Sequence, residues 1–288
     1  MKKIFHFRGW IQAASAILTN ADLPNFLDGS INMGAGKQVC VPVLNCYSCP
    51  GAVGACPVGS AQAVLSGRKH SFPFYVLGLV LLFGVLLGRI ICGFLCPFGW
   101  IQHLLHKIPV KKPRIRPKID RPMRLAKYGI LILFVIVLPV FAVDAFGLGA
   151  PWFCKWICPA GTLEGGIPLV LNNDSLQNSV GSLFLWKMGL LTATIIASVL
   201  IYRPFCKYAC PLGAFYALLN KIAVLRMKLD YDSCISCGKC VRICPMQVDV
   251  LRDINSAECI RCGECAKSCP TGAISLTAGK ITLKKNAV

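Results

Sequence analysis

The chain has 288 residues, of which 55 % are hydrophobic and only 15 % charged. With a mean hydropathy of +0.61, that composition excludes a disordered chain and argues against an ordinary solvated domain. Lys and Arg outnumber Asp and Glu by 31 to 12, a net charge of +19. Such an excess suits nucleic acid or the inner face of a membrane; the long apolar runs decide for membrane lipid and against nucleic acid. The 18 cysteines fall in short regular spacings within an apolar chain, which excludes a small secreted disulfide scaffold.

In chain order, residues 5–20 are a candidate first span, interrupted by Arg8, Gln12, Ser15 and Asn20, with an interfacial helix as the alternative. No small-residue cleavage site follows a clean apolar core, so the segment is not expected to be a cleavable signal. Runs at 73–91, 128–146 and 184–202 are each long enough to cross ~30 Å of hydrocarbon at ~1.5 Å per residue. Between the first two of these lies a loop holding Lys107, Lys111, Lys112, Arg114, Arg116, Lys118, Arg121, Arg124 and Lys127. Basic loops stay in the cytoplasm, so this one is expected inside. The 147–183 connection, with only Lys155, is expected outside, and the chain returns to the cytoplasm after Tyr202. If the first helix also spans, the N-terminus is inside, in accord with Lys2, Lys3 and Arg8. The expected fold is mainly α. A small, pseudo-repeated transmembrane helical bundle, with three strong spans and an N-terminal fourth, occupies 1–227. A cytoplasmic α+β two-[4Fe–4S] ferredoxin-like domain follows over 228–288.

That tail reads Cys234-x-x-Cys237-x-x-Cys240-x-x-x-Cys244-Pro, then Cys259-x-x-Cys262-x-x-Cys265-x-x-x-Cys269-Pro. Thiolates are the soft charged donors that iron in a cubane cluster needs. In this spacing three wrap one cluster, and the fourth, before proline, crosses to the other. Cluster A is expected at Cys234, Cys237, Cys240 and Cys269, and cluster B at Cys259, Cys262, Cys265 and Cys244. Gly238 and Gly263 suit the tight loops, and 273–276 suits a short closing strand. Zinc is the alternative metal, against which the duplicated spacing with proline weighs. The module resembles a bacterial two-cluster ferredoxin over its whole length.

A second signal repeats in the membrane part. Cys92/Cys96, Cys154/Cys158 and Cys206/Cys210 each form Cys-x-x-x-Cys-Pro-x-Gly at or just past the end of an apolar run. Cys56-Pro57-Val58-Gly59 repeats the second half, but Ala52 stands where its partner belongs. Each pair offers two thiolates, half of what a cubane requires. The expected topology puts Cys92, Cys96, Cys206 and Cys210 at the cytoplasmic side, as one [4Fe–4S] site. Cys154 and Cys158 fall outside with Cys56 and Cys49, Cys46 being the rival of Cys49, as a second. Outer disulfides and transient inner redox thiols are the alternatives. Cys40 and the spare N-terminal cysteine are left for an outer disulfide, a shield or an extra ligand.

Little else carries chemistry. His6, His70, His103 and His106 are the histidines. His103 and His106 lie one turn apart and suit either quinol deprotonation or an interfacial polar face. The tryptophans sit near span ends as an aromatic belt. Asp144 and Glu164, near the outer ends of apolar segments, suit an interface position or a proton relay. No Cys-x-x-Cys-His is present, which excludes covalent haem, and there is no phosphate-binding or dinucleotide fingerprint.

Short spans, Cys-x-x-x-Cys-Pro loops and a two-cluster tail together resemble the NapH/NosR-type membrane ferredoxins over nearly the whole chain. The resemblance implies an electron-transfer subunit of the cytoplasmic membrane, linking the quinone pool or the cytosol to an extracytoplasmic redox partner. Two departures matter: three paired motifs and the 40–56 block where NapH-like proteins have two motifs, and no large flavin-carrying outer domain like that of NosR. They favour a conduit of clusters from a cytoplasmic donor protein to an extracytoplasmic flavoprotein or cytochrome. The alternatives are a quinol dehydrogenase subunit with quinone as a further cofactor, and a CcoG-like factor for metalloenzyme maturation.

Overall fold

In a computed structural model, residues 7–67, 71–113, 115–279 and 281–282 are described. Lys2, Lys3, His6, His70 and Arg114 lie outside them. Among the described residues two helices are long and apolar enough to cross a membrane, Pro117–Phe141 with 25 residues and Ser182–Leu200 with 19. Only 17 % and 11 % of their most apolar windows are buried. Side chains such as Ile132, Leu185 and Ile196 therefore face outward, which no core helix of a soluble protein does, and the chain is a membrane protein. Pro139 has no N–H to return to the preceding turn, and the first of these helices widens into π-type turns over Leu131–Val137.

The other two runs are shorter in the structure than the sequence suggests. Phe74–Leu87 has 14 helical residues, about 21 Å at ~1.5 Å per residue. It stops at Gly88, where φ is +56° and a Cβ would lie 2.6 Å from Arg261 Nη1 and 2.8 Å from Asn220 Oδ1. Only glycine lets the helix end against the tail this closely. The N-terminal helix, Arg8–Thr19, has 12 residues and buries Arg8 and Gln12. Neither reaches the length of a span by itself.

The tail is a three-stranded antiparallel sheet in the order β1 (Leu225–Leu229), β2 (Ile274–Ala278), β3 (Ile281–Thr282). The short helices Lys239–Ile243 and Glu264–Ser268 accompany it. Leu225 pairs with Ala278 and Leu229 with Ile274, so the sheet begins three residues before position 228. The tail does not hang free. Met246, Val248, Ile260 and Cys262 share one core with Cys92, Cys96, Phe98 and Tyr216. A Cβ at Gly93 would lie 2.4 Å from Ile260 O.

Buried ion pairs fasten this junction. Glu258 receives Arg89 at 2.8 Å and, through its other oxygen, Lys127. Asp120 meets Lys207 at 2.6 Å and Arg124, and it accepts from the Tyr208 hydroxyl at 2.5 Å. Arg124 also donates to the carbonyls of Met246 and Gln247. Charges that serve as an orientation signal in the sequence thus also clamp the tail. Removing one member of a buried pair strands the other charge, at a cost of about 3–5 kcal/mol. Glu258→Ala is accordingly expected to destabilise the protein by that amount in detergent unfolding and to open the 220–226 connection to protease. Unchanged unfolding and cleavage would show that the clamp carries nothing.

Candidate metal centres

Proline sets the local geometry of every site. The residue before proline is barred from the α region, and Cys56, Cys96, Cys158, Cys210, Cys244 and Cys269, six of the seven Cys-Pro cysteines, are extended, with φ between −73° and −64° and ψ between 109° and 127°. In the four membrane motifs the proline then opens the next helix, where its missing N–H costs nothing. The first cysteine of each complete pair sits in a five-residue helix, Ile90–Phe94, Trp152–Trp156 or Pro204–Tyr208. In two membrane motifs the glycine three residues after the Cys-Pro cysteine turns its N–H to that sulfur: Gly99 to Cys96 at 3.4 Å and Gly213 to Cys210 at 3.3 Å. Gly59 and Gly161 hold the same positions after Cys56 and Cys158, but there the sulfur accepts no such bond.

Cys92, Cys96, Cys206 and Cys210 form the site nearer the tail. All are buried and within electrostatic reach of one another. Their two motifs are cross-braced. Arg89, three residues before Cys92, donates to Cys206 O at 3.0 Å. Arg203, three residues before Cys206, donates to Cys92 O. Arg203 holds a left-handed backbone, φ +50°, a conformation costing of order 1 kcal/mol in a non-glycine residue. Both guanidinium groups are 0 % exposed, and Arg203 Nε and Nη2 and Arg89 Nε have no hydrogen-bond partner. A guanidinium stays charged, and a buried charge without a counter-charge is very costly. Four thiolates around an iron–sulfide core are the anion this pocket asks for.

The second membrane site gathers Cys46, Cys56, Cys154 and Cys158, each within electrostatic reach of the other three. They line a cavity of about 270 Å³ with Gly161 and Gly165, whose added Cβ atoms would sit 3.6 and 3.5 Å from Cys46 Sγ. Cys49 is not on this cavity; its thiol lies 3.4 Å from Asn20 Oδ1. Cys40 is buried at a bridge to Ala55, away from the site, and none of the 18 cysteines is in a disulfide. The Cys46 N–H donates to Glu164 Oε2 at 2.7 Å. Burial pushes the Glu164 carboxyl up to about 7 and the thiols of Cys46, Cys56 and Cys154 up to about 12. Thiolates persist here only when a strong cation holds them.

In the tail, Cys269 joins Cys234, Cys237 and Cys240 around one concavity, and Cys244 joins Cys259, Cys262 and Cys265 around another. Among the described residues no three His, Cys, Asp or Glu converge on a single-ion site. A cubane makes a different demand, one thiolate for each iron, and four sets of four cysteines fit it. Cys237 is exposed, whereas Cys262 is buried against the membrane part.

Gln62 and Gln102 do not stand out in the sequence. Each lies six residues after a Cys-Pro cysteine and bridges to the opposing pair. Gln102 Oε1 accepts from Phe205 N at 3.2 Å and Nε2 donates to Cys206 Sγ at 3.2 Å. Gln62 does likewise with Phe153 N at 3.0 Å and Cys154 Sγ at 3.3 Å. The signal that could have found them is Cys-Pro-x-Gly-x-x-Gln, at 56–62 and 96–102. His103 and His106 pack edge-on to Tyr202. Burial, with Arg8 and Arg203 nearby, lowers His103 to about 3, so its neutral imidazole is a weak base, poorly suited to take a proton from a quinol near neutral pH. Nothing among the described residues supports a bound quinone.

Comparison with known proteins agrees with this chemistry. A family model described as a 4Fe-4S binding domain matches three times, at residues 70–116, 128–167 and 183–230. Two further models of the same description match 253–275 and 227–248. An uncharacterized protein of Methanocaldococcus jannaschii is 29 % identical over 73 % of this chain and 72 % of its own length. The putative electron transport protein YccM of Escherichia coli is 26 % identical over 63 % of this chain and 48 % of its own. The ferredoxin-type protein NapH of Haemophilus influenzae is 25 % identical over 60 % and 53 %. No solved structure matches.

Replacing Gln102 by Ala leaves the Phe205 N–H and the Cys206 sulfur without their shared partner. It is expected to destabilise the protein by about 1–3 kcal/mol in urea unfolding, and Gln62→Ala by a similar amount. Neutral substitutions at both positions would contradict the bridging role.

Proposed function

We propose that this chain, which belongs to the NapH/NosR-type ferredoxin family, conducts electrons across the cytoplasmic membrane through a row of [4Fe–4S] clusters. It is a ferredoxin-type electron-transfer protein with 4Fe-4S domains. Our reading adds four ligand sets. Cluster A takes Cys234, Cys237, Cys240 and Cys269; cluster B takes Cys244, Cys259, Cys262 and Cys265. An inner membrane cluster takes Cys92, Cys96, Cys206 and Cys210. An outer one takes Cys154, Cys158, Cys56 and Cys46, the last replacing Cys49 because Cys46 lines the cavity and Cys49 does not.

The observation that carries this reading is the single core joining both membrane sites, in which Cys56, Cys92, Cys96, Cys158 and Cys210 all take part. Tyr216 lies between them. It is fully buried, within electrostatic reach of Cys92, Cys96, Cys210 and Cys56, and its hydroxyl donates to Pro42 O at 2.9 Å. The Phe74–Leu87 helix ties the same two regions. The Tyr75 hydroxyl accepts from Cys40 N, while Leu87 O accepts from Arg261 of the tail. A ~30 Å hydrocarbon core is thus divided into short steps, with irregular backbone buried in protein as membranes require.

In this reading the basic loop and tail face the cytoplasm, by the positive-inside rule. Exposed Cys237, beside Ile235 at 64 % exposure, marks the surface where a soluble donor protein docks. The ring around Cys262 passes the electron to the Cys92 motif, with Arg8 spanning the gap: it donates to Gly93 O at 3.1 Å and feels the charge of Cys262. An extracytoplasmic flavoprotein or cytochrome takes the electron beyond Cys46 and Cys154.

Two measurements test this. Anaerobic analysis is expected to give about sixteen irons per chain, with loss of about four in Cys46→Ser and none in Cys49→Ser; the reverse order would restore Cys49 as ligand. In sealed vesicles, a reductant confined to the tail side is expected to reduce an impermeant acceptor opposite without added quinone, and Cys158→Ser to stop it. Transfer that strictly requires quinone, or that survives Cys158→Ser, would remove the conduit.

A further inference from the structure

The two membrane sites are built from the same parts, so the place where they differ is informative. At the inner site the Gly99 and Gly213 N–H groups meet the sulfurs before proline at 3.4 and 3.3 Å, whereas Cys56 and Cys158 accept no such bond from Gly59 and Gly161. At both, a glutamine amide donates to the first cysteine of the opposing pair, Gln102 at 3.2 Å and Gln62 at 3.3 Å. The glycine bonds add to the inner set, and the glutamine bonds act on the two sets of sulfurs alike.

The charges do not. Three residues before Cys92 and Cys206 stand Arg89 and Arg203; three residues before Cys154 stands Pro151. Arg89 acts on Cys92 and Cys206, and Arg203 on Cys92 and Cys96. Glu258 offsets Arg89, but it is shared with Lys127. No carboxylate among the described residues pairs with Arg203. The other site has Glu164 against Cys46, and its cations, Lys37, Lys155 and Lys187, are partly or fully exposed and screened by solvent.

We propose that Arg89 and Arg203 poise the inner cluster at a higher reduction potential than the outer one, as tuning residues of the electron path. The proposal rests on the reading above that each site holds a [4Fe–4S] cluster. Cluster potentials follow net charge, hydrogen bonds to the sulfurs and solvent exposure. Each reduction brings in one electron and no proton, and so adds one negative charge beside the cysteine sulfurs. A fixed cation buried next to them stabilises that charge strongly, because little solvent screens it. The glutamine bonds are matched, and the glycine N–H bonds at the inner sulfurs act in the same direction as the guanidinium groups. An electron arriving from the tail is therefore held inside. The outward step runs uphill until an acceptor empties the outer site or a membrane potential, negative inside, draws the electron across.

Potentiometric titration of the purified full-length protein under anaerobic conditions, followed by EPR, tests this. Cys158→Ser, which removes an outer ligand, identifies the outer signal. The inner signal is expected at the higher potential. Arg203→Gln and Arg89→Gln should each move it down, leaving the outer and tail signals in place, and Arg203→Lys, which keeps the charge, should restore most of the shift. Iron analysis separates the two ways to fail. About eight irons per chain would overturn the cluster reading itself. About sixteen irons, with an inner signal at or below the outer one in the unaltered protein, would overturn the role of the arginines alone. That order of potentials is measured on the unaltered protein, so an arginine variant that fails to fold does not remove the test.

Discussion

Two arginines carry full positive charges at 0 % exposure in the middle of this molecule, and much of its architecture answers to them. Arg89 reaches from the start of one cysteine motif to a carbonyl of the other, and Arg203 reaches back. The exchange draws two sequence-distant motifs into one four-cysteine site. Arg89 also meets Glu258, so the same charge that braces the site fastens the ferredoxin-like tail. Gly88 and Gly93 are where backbone and tail come closest. Anionic ligation, docking and the ending of the Phe74–Leu87 helix are thereby one problem with one solution.

The repeat explains how a small chain builds two such sites. A cysteine forced extended by proline, with a helix opening at that proline and a glycine two places beyond it, recurs four times in the membrane part, and at Cys96 and Cys210 the glycine amide meets the sulfur. In the helices after Cys56 and Cys96 a glutamine six residues on reaches across to the partner pair. The corresponding positions after Cys158 and Cys210 hold Glu164 and Tyr216, and both still tie their helix to the 40–56 block, through Cys46 N and Pro42 O. That block lacks a complete motif of its own, yet it is held by the two repeats that carry no glutamine at this position.

What the sequence made legible followed from short-range chemistry. Spacing grouped Cys234 with Cys269 and Cys244 with Cys259, because each Cys-Pro step dictates a local turn. The apolar runs at 128–146 and 184–202 marked helices that are apolar on all sides. What stayed illegible depended on tertiary packing. Hydropathy does not register that Gly88 must admit Arg261, so the 73–91 run looked like one uninterrupted span. Sequence spacing favours Cys49 with Cys46 as its rival; the fold instead puts Cys46, and not Cys49, on the cavity beside Gly161 and Gly165. The basic loop looked like a solvated orientation signal, although Lys127 is wholly buried against Glu258. Arg89, Arg203, Gln62 and Gln102 sit at fixed offsets from the cysteines, but a polar residue in an apolar chain shows its partner only once the fold is known.

The central claim is that two clusters share one buried core with Tyr216 between them, and magnetic interaction between them tests it most directly. EPR of the fully reduced protein should contain splitting or broadening from neighbouring spins that disappears when Cys158→Ser removes the outer cluster, while the inner signal remains. A spectrum that is simply the sum of isolated clusters, unchanged in shape at the inner signal by Cys158→Ser, would contradict the account.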